Sequence, residues 1–318
     1  MRSRTMLRKG LAIATAALGL ALLVPAGGAA ATSGGRHDDG GRAGHEHVRA
    51  FDHYVALGDS YTAAPLVPTT LPADGCFRST SNYPSLVGAS RRVHGVVDVS
   101  CSGARTDDML GSQQTGLGPV APQLDAVAAD TDLVTVSIGG NDEAVFGTLV
   151  GYCPTLRPLD PTGAPCRAAM NAGGSDQLLD AIGRTQQRVG TVIDEIHARA
   201  PHARVLVVGY PQLVPRRGTC PDLLPLADGD YAYGLTVNRA LTQALARAAR
   251  THHAEYVDVW RASRGHDICS ADPWVNGQYT DPSRAQSFHP FAVEQQAVAG
   301  LVLRQLAHGH RHHHFAHH

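Results

Sequence analysis

Five short runs of apolar and β-branched residues recur along the middle of this 318-residue chain. Each run is nearly continuous, which is typical of strands that are buried on both faces of a parallel sheet. Alternation of such strands with helices implies right-handed crossovers and a doubly wound α/β sandwich. The sequence therefore predicts an α/β fold, and the expected strands lie at 53–57, 96–100, 132–138, 204–209 and 255–259.

Between the runs, spaced apolar residues and many alanines indicate helices. Two connections, 65–82 and 152–174, are long for a compact domain and carry cysteines and prolines. We expect both to be loops that cross-links restrain without regular structure. A third insertion, 211–229, holds another cysteine. The predicted helices lie at 83–93, 119–129, 175–200, 231–250 and 291–307.

The N-terminus has the three parts of a secretory signal peptide. Basic residues within the first nine positions precede an apolar run at 11–24, and three alanines follow at 29–31. A retained membrane anchor is the disfavoured alternative, because the run is short for a bilayer span. We predict a signal peptide at 1–31 and a secreted, extracellular protein with no stable membrane insertion.

Both ends of the remaining chain have a biased composition. Residues 32–50 are rich in Gly, His, Asp and Arg, which predicts a disordered leader. Residues 308–318 read HGHRHHHFAHH. This His-rich tail has the composition for weak binding of divalent metal, but a flexible tail without function is the preferred interpretation. The region between them, 51–307, is expected to form one globular domain.

The six cysteines stand singly, with no Cys-x-x-Cys pair. An even number with this spread indicates disulfides in an exported protein rather than a zinc or redox site. The spacing leaves the pairing open. Sequential pairing closes the shortest loops, and we predict it: Cys76–Cys101, Cys153–Cys166 and Cys220–Cys269.

The formal net charge is only −1. Proteins that bind nucleic acid usually carry a strongly basic face, so this balance argues against nucleic acid as a partner. We expect a monomer.

Four small blocks of polar residues and glycines follow the predicted strands or precede the last helix. In doubly wound sheets, active sites collect beyond the carboxyl ends of the strands. Each block alone has an ordinary explanation as a turn or a helix cap. All four in order are much more specific: GDS at 58–60, CSGA at 101–104, GGND at 139–142 and SFHP at 287–290.

The residues in these blocks suit ester cleavage. Ser60 is a candidate nucleophile, and His289 a candidate base that takes its proton near neutral pH. The tetrahedral intermediate carries an oxyanion that needs hydrogen-bond donors already in position. The backbone N–H groups of Ser60 and Gly103, with the side-chain amide of Asn141, are the candidate donors.

These residues resemble the signature of the SGNH (GDSL-type) hydrolases, whose four letters are matched by Ser60, Gly103, Asn141 and His289. The resemblance spans 51–307 and is greatest to the secreted lipases and esterases of actinomycetes. It implies a flavodoxin-like three-layer α/β/α sandwich around a central five-stranded parallel sheet, with strand order 2-1-3-4-5.

One position departs from the family pattern. Most members place an aspartate three residues before the histidine, where this chain has Gln286. Some secreted relatives replace that carboxylate with a main-chain carbonyl. We therefore predict a Ser60–His289 dyad in which the Gln286 carbonyl accepts from the imidazole. A carboxylate from Asp281 or Asp272 is the alternative.

The implied activity is cleavage of carboxylic esters through an acyl-enzyme on Ser60. Lipid acyl esters lead as substrates, which covers a lipase, an esterase or a phospholipase A. The alternatives are a carbohydrate acetyl esterase and a non-catalytic secreted binding module. This chemistry needs no metal and no organic cofactor, and its partner is a small-molecule or lipid ester.

Trp260, Trp274 and the apolar stretch 144–150 are candidate walls of an acyl pocket, with core packing as the ordinary explanation.

Overall fold

The computed structural model describes residues 50–71 and 73–308. Its centre is a sheet of five parallel strands in the order β2-β1-β3-β4-β5. This confirms the predicted fold class and the strand order that the resemblance implies. The strands are β1 Tyr54–Gly58, β2 Val96–Asp98, β3 Leu133–Ser137, β4 Arg204–Val208 and β5 Glu255–Val257.

Helices cover both faces of the sheet. Alternate residues of β1 enter two different apolar clusters: Val55 and Leu57 join one, and Tyr54 and Ala56 join the other. The first cluster includes α2 and α3, and the second includes α1 and α4. The protein is thus a three-layer α/β/α sandwich. The helices are α1 Tyr83–Gly88, α2 Gln177–Arg199, α3 Asp230–Thr251 and α4 Ala292–Ala307.

Shorter elements fill the connections. Two antiparallel hairpins pair Thr70–Leu71 with Arg78–Ser79 and Gln113–Thr115 with Gly118–Val120. The remaining α-helices are Ser60–Ala63, Val145–Gly147, Cys153–Leu156, Pro165–Met170 and Val259–Ala262. Turns of 3₁₀ helix lie at Thr106–Met109, Gln123–Ala126, Asp142–Ala144 and Arg157–Leu159, and a π-helical turn lies at Thr148–Tyr152.

Four of the expected segments were wrong in type or length. The connection 65–82, expected to lack regular structure, contains the hairpin of Thr70–Leu71 and Arg78–Ser79. The predicted helix 119–129 is a hairpin strand followed by one 3₁₀ turn, because Pro122 lies between them and disfavours helical backbone at the residue before it. The predicted helix 83–93 ends at Gly88, after which Phe51 pairs with the main chain of Arg92. The connection 152–174 contains helices, each with a proline in its first turn, where proline is tolerated.

Three disulfides cross-link the connections, and they join the cysteines in the predicted sequential pairs. Within residues 50–71 and 73–308, no helix is long and apolar enough to cross a membrane. The predicted signal peptide lies outside the described residues. So do the leader, apart from Ala50, and the tail, apart from His308.

Candidate active site

Ser60 is the first residue of a short helix at the carboxyl edge of the sheet. The strand β1 ends at Gly58, and Asp59 caps the helix by accepting the Tyr61 N–H at Oδ1 over 2.9 Å. Ser60 is only 7% exposed. Its hydroxyl and its N–H have no hydrogen-bond partner within the described part of the chain. Both groups are therefore available to a bound molecule.

Gly58 is required for this turn because a larger residue would collide with its neighbours. A Cβ at this position would lie 2.8 Å from the Ser137 carbonyl oxygen and 2.2 Å from Thr62 Oγ1. The Gln123 side chain accepts the Gly58 N–H at 2.8 Å and donates to the Gly58 carbonyl at 2.9 Å. The Gln123 side chain thus makes the two hydrogen bonds that the backbone of a neighbouring strand would make, and it fixes the end of β1.

The second block forms a turn against the same strand end. The Ala104 N–H donates to the Cys101 carbonyl at 3.0 Å, and the Cys101 N–H donates to the Gly58 carbonyl at 2.9 Å. Gly103 has a φ of +82°, a region that favours glycine. Its N–H finds no acceptor among the described residues. The turn therefore presents a free backbone donor.

The third block follows β3. A Cβ on Gly140 would lie 2.3 Å from the Phe146 ring, so only glycine fits this close approach. Asn141 comes next, and its Nδ2 donates to the Ala104 carbonyl at 3.0 Å. An amide nitrogen carries two hydrogens, so one remains for another acceptor. This hydrogen bond joins the second and third blocks.

A buried tyrosine links the first and third blocks. The Tyr210 hydroxyl accepts the Gly140 N–H at 2.9 Å and donates to Asp59 Oδ2 at 2.5 Å. Burial raises the pKa of the Asp59 carboxyl to about 7, and the hydrogen bonds from Tyr210 and Tyr61 oppose that rise. Asp59 is thus an acceptor that holds the turn.

A cavity of about 260 Å³ opens between these turns, and Ser60, Asn141 and His289 all line it. Gly103 does not line the cavity. It reaches the site through the turn that Asn141 contacts. The structure therefore brings three of the four signature residues to one cavity and places the fourth beside it.

The other walls of this cavity are mostly apolar, and they include Phe146, Val150, Leu213 and Phe288. The predicted stretch 144–150 contributes the first two. Neither tryptophan lines it, and Trp274 stacks on His266 with ring centroids 4.8 Å apart. Within the described ranges, no group of three His, Cys, Asp or Glu residues is arranged to hold a metal ion.

His289 lies in a turn that Tyr61 supports. The Tyr61 hydroxyl donates to the Phe288 carbonyl at 2.8 Å, and its ring centroid lies 5.8 Å from that of His289. His289 Nδ1 lies 2.7 Å from the Ser287 carbonyl oxygen. Because a carbonyl can only accept, Nδ1 carries the proton and Nε2 presents its lone pair. Burial lowers the pKa of the His289 ring, and the Ser287 hydrogen bond opposes this shift.

The predicted role of Gln286 was wrong. A main-chain carbonyl does accept from the His289 ring, but it belongs to Ser287. The Gln286 carbonyl accepts the backbone N–H of His289 at 3.1 Å and the Asn276 amide at 3.2 Å, so the turn itself directs it away from the ring.

Neither alternative carboxylate reaches the ring. Asp281 Oδ1 accepts from Ser283, and the Asp272 side chain is 79% exposed beside His266. In the described part of the chain, no Asp or Glu forms an ion pair or hydrogen bond with His289. Gln286 does line the cavity.

A model of the GDSL-like Lipase/Acylhydrolase family matches residues 56–293, a span that contains all four blocks. The chain belongs to this family. Lipase 2 of Streptomyces coelicolor is 40% identical over 256 residues, which cover 77% of this chain and 83% of that protein. An esterase of Streptomyces scabiei is 31% identical over 271 residues, which cover 71% and 75%. The predicted enzyme class, a carboxylic ester hydrolase, is thereby confirmed.

Two solved structures of Streptomyces enzymes have the same architecture. Phospholipase A1 from Streptomyces albidoflavus NA297 is 29% identical, with a TM-score of 0.63, and the match covers 80% of this chain and 99% of that one. The extracellular lipase of Streptomyces rimosus is 28% identical, with a TM-score of 0.62, and the match covers 81% and 100%. This GDSL-like chain therefore shares its fold with both enzymes across nearly their whole lengths.

Several residues of this GDSL-like site were absent from the sequence-based prediction. Tyr210 directly follows the fourth apolar run, and a polar residue at a strand end is a signal that could have found it. Gln123 lies in the segment 119–129, whose pattern predicts a helix, so its bond to Gly58 could not be expected. Ser287 acts through its main chain, so its residue type carries no signal.

Proposed function

We propose that this protein is a secreted serine hydrolase that cleaves lipid acyl esters through an acyl-enzyme on Ser60. The observation that carries the proposal is the shared cavity of Ser60, Asn141 and His289 with its apolar walls. The Ser60 hydroxyl and N–H and the Gly103 N–H have no partner among the described residues, so all three are free to act on a substrate.

The first half of the reaction forms the acyl-enzyme. His289 Nε2 takes the proton from Ser60 Oγ as that oxygen attacks the ester carbonyl. The tetrahedral intermediate then carries an oxyanion. It is stabilised by hydrogen bonds from the Ser60 and Gly103 N–H groups and from the second hydrogen of the Asn141 amide. His289 returns its proton to the departing alkoxide, which leaves as the alcohol. The Ser287 carbonyl at Nδ1 holds the ring in the required tautomer throughout.

The second half regenerates the enzyme. His289 Nε2 takes a proton from water, which attacks the acyl-enzyme carbonyl, and the same donors hold the second oxyanion. Collapse breaks the bond to Ser60 Oγ, which recovers the proton from His289 and releases the acid. These steps use only protein groups and water.

The walls of the cavity favour acyl chains over sugars. Phe146, Val150, Leu213 and Phe288 surround the space next to Ser60, and burial of apolar surface against such walls is favourable for an alkyl chain. Relatives in this family include proteins named lipase, and a structural neighbour is named phospholipase A1. Lipid esters, including those of phospholipids, are therefore the proposed substrates.

Labelling with a fluorophosphonate tests the nucleophile. We expect the wild type to be labelled and Ser60→Ala not to be labelled. A Ser102→Ala variant, which changes a neighbouring serine outside the cavity lining, serves as the matched control and should be labelled like the wild type. Absence of labelling in all three would favour a non-catalytic binding module.

A series of p-nitrophenyl esters from acetate to palmitate tests the substrate class. We expect activity to persist on medium and long acyl chains. Hydrolysis of acetate with no activity on long chains would contradict the lipid substrate and favour an acetyl esterase.

Secretion is the remaining part of the proposal. The three disulfides are typical of exported proteins, and the 1–31 segment has the pattern of a signal peptide. Expression of the full chain in an actinomycete host should release protein into the medium, with an N-terminus near Thr32. Protein that stays in the cell with its first residues intact would contradict secretion.

A further inference from the structure

Two further cavities lie next to the catalytic cavity, and one loop contributes to all three. Leu213 lines the catalytic cavity, whereas Gln212 lines two other cavities. Hydrogen bonds fix this loop: Leu213 N–H donates to Asn238 Oδ1 and Gln212 N–H donates to Ser263 Oγ, each at 2.8 Å. The two sites are therefore held in a constant relation by adjacent residues.

Arginines line both of the further cavities. Arg216, Arg239 and Arg264 line a cavity of about 120 Å³ together with Trp260. Arg216 also lines a neighbouring cavity of about 740 Å³, together with Arg217. We call these four arginines, with Trp260, the arginine surface.

The guanidinium groups of the arginine surface are exposed and unpaired. None of the four has an ion pair or a hydrogen bond to another residue in the described part of the chain. Asp267 is the one carboxylate among the described residues that line the two cavities, and it is 8% exposed, with Oδ1 accepting the Cys269 N–H. Four exposed guanidinium groups thus line these two cavities with one buried carboxylate among them.

This clustering stands out against the overall charge of the protein. The whole chain has a net charge of −1, and removal of the basic residues in the predicted signal peptide makes it more acidic. An acidic protein has no general attraction to an anionic surface. The arginine surface is therefore the face that an anionic surface would attract, so the protein would approach such a surface in one orientation.

The chemistry of the arginine surface fits lipid phosphates. Guanidinium groups bind phosphate oxygens in a bidentate manner, and tryptophan is enriched at the boundary between water and lipid. Gln212 lines both cavities, and its Oε1 is buried with no hydrogen-bond partner among the described residues, so it has an unused acceptor. Four guanidinium groups spread over two cavities exceed what a single phosphate ion can contact.

We propose that the arginine surface docks this enzyme on an anionic phospholipid surface and so brings lipid esters to the adjacent catalytic cavity. The inference deepens the proposed function and rests on it for the fate of the lipid, but docking itself is measurable without catalysis.

Co-sedimentation with vesicles tests the docking. The protein is the full mature chain carrying Ser60→Ala, so that lipids are not hydrolysed. Binding is measured to vesicles of phosphatidylcholine alone and of phosphatidylcholine with an equal amount of phosphatidylglycerol. We expect binding only to the anionic vesicles. Equal binding to both kinds of vesicle, or to neither, would overturn the proposal.

Two variants with the same change in net charge locate the site. The test variant carries glutamine at the four positions of the arginine surface, and the control carries it at four other arginines. Because all four arginines attract anionic lipid, the test variant should bind at least about tenfold more weakly than the control variant. Equal losses in both variants would overturn the assignment. The control positions are Arg91, Arg92, Arg250 and Arg304.

Competition and turnover separate the remaining explanations. Inorganic phosphate should displace the protein no better than sodium chloride of equal ionic strength, and selective displacement would overturn docking in favour of a small-anion site. In the Ser60 enzyme, hydrolysis of vesicle phospholipid should fall at least about tenfold relative to hydrolysis of p-nitrophenyl butyrate when the arginine surface is changed. A parent enzyme that binds vesicles but cleaves neither substrate would contradict the proposed function and leave docking supported.

Discussion

The nucleophile side and the histidine side of the site are held by different kinds of contact. On the nucleophile side, buried side chains from several connections meet: Gln123 pairs with Gly58, and Tyr210 joins Asp59 to Gly140. On the histidine side, most of the hydrogen-bond acceptors are carbonyl oxygens of the main chain. The Asn276 amide contacts the carbonyls of Tyr279, Ala285 and Gln286 at 2.8, 3.0 and 3.2 Å.

The geometry of the nucleophile side therefore depends on the identity of its side chains, whereas the geometry of the histidine side depends on the backbone conformation. A side-chain network fails when one member is replaced, because a buried partner is left unsatisfied. A carbonyl acceptor survives replacement of its own side chain. We therefore expect substitutions on the nucleophile side to cost more activity than substitutions at the carbonyl-bearing residues around His289.

Asn141→Ala should have the largest effect among these tests. It removes the proposed oxyanion donor, and loss of such a donor typically costs about 10²–10³-fold in kcat, or roughly 2.7–4 kcal/mol. Steady-state kinetics on p-nitrophenyl butyrate measure the loss, which should fall on kcat rather than KM.

The same substitution also breaks the bond to the Ala104 carbonyl, so a control is needed. Thr106→Val removes the neighbouring bond between Thr106 Oγ1 and Asp142 Oδ2, which is 2.7 Å long, without touching the amide. It should lower Tm while kcat stays within about tenfold of the wild type. A similar kcat loss in both variants would contradict a donor role for Asn141.

Tyr210→Phe should have the next largest effect. It leaves the Gly140 N–H and Asp59 Oδ2 without their shared partner. An unsatisfied buried group costs roughly 1–3 kcal/mol, and if that cost displaces the two turns kcat falls about 10- to 100-fold. KM should change little, since Tyr210 does not line the cavity.

Tyr54→Phe is the matched control for Tyr210→Phe. It removes a buried hydroxyl that lies 2.8 Å from Thr135 Oγ1, within the same sheet but away from the blocks. Both variants should lose similar stability in thermal melts, and only Tyr210→Phe should lose kcat. Equal kcat in the two variants would mean that Tyr210 does not position the site.

The same contrast accounts for what could be predicted from the sequence. The strands and their order follow from apolar runs and from the family resemblance, and glycine at 58 and 103 follows from a close approach and a positive φ. Such steric demands permit few residue types, so they leave a mark in the sequence.

The partner of His289 leaves no such mark. The Ser287 and Gln286 carbonyls are chemically identical, and the choice between them depends on the turn that Phe288 makes with a φ of +58°. Phenylalanine rarely adopts a positive φ, so the residue type does not predict this turn. The Tyr210 bridge and the arginine surface likewise arise from residues that are distant in sequence and meet only in the fold.

Glu294→Gln should affect stability more than activity. Glu294 is buried and accepts from Gln295 Nε2 at 2.7 Å, and within the described residues it forms no hydrogen bond with His289. Burial raises the pKa of its carboxyl to about 8, well above the ordinary range of a glutamate. A raised carboxyl pKa gives stability that is full below the unfolded pKa and is lost as the pH rises through the folded pKa.

Thermal melts across pH measure this effect. The wild type should lose Tm between about pH 5 and 9 relative to Glu294→Gln, at roughly 2–4 °C for each kcal/mol, because glutamine cannot ionise. Asp59 titrates in both proteins and cancels in the comparison. A pH-independent difference in Tm would contradict the assignment. At pH 7, kcat should stay within about threefold of the wild type.

Gln286→Ala should have the smallest effect, with kcat within about twofold of the wild type, because the Ser287 carbonyl still accepts from His289 Nδ1. Gln286→Asp is the informative companion, since it restores the carboxylate of the family pattern. A negative charge near the ring favours the imidazolium, so the acid limb of the kcat/KM profile should move to higher pH in the aspartate variant alone. If Gln286→Ala instead lost as much activity as His289→Ala, the glutamine side chain would be orienting the histidine, and the two sides of the site would be held alike.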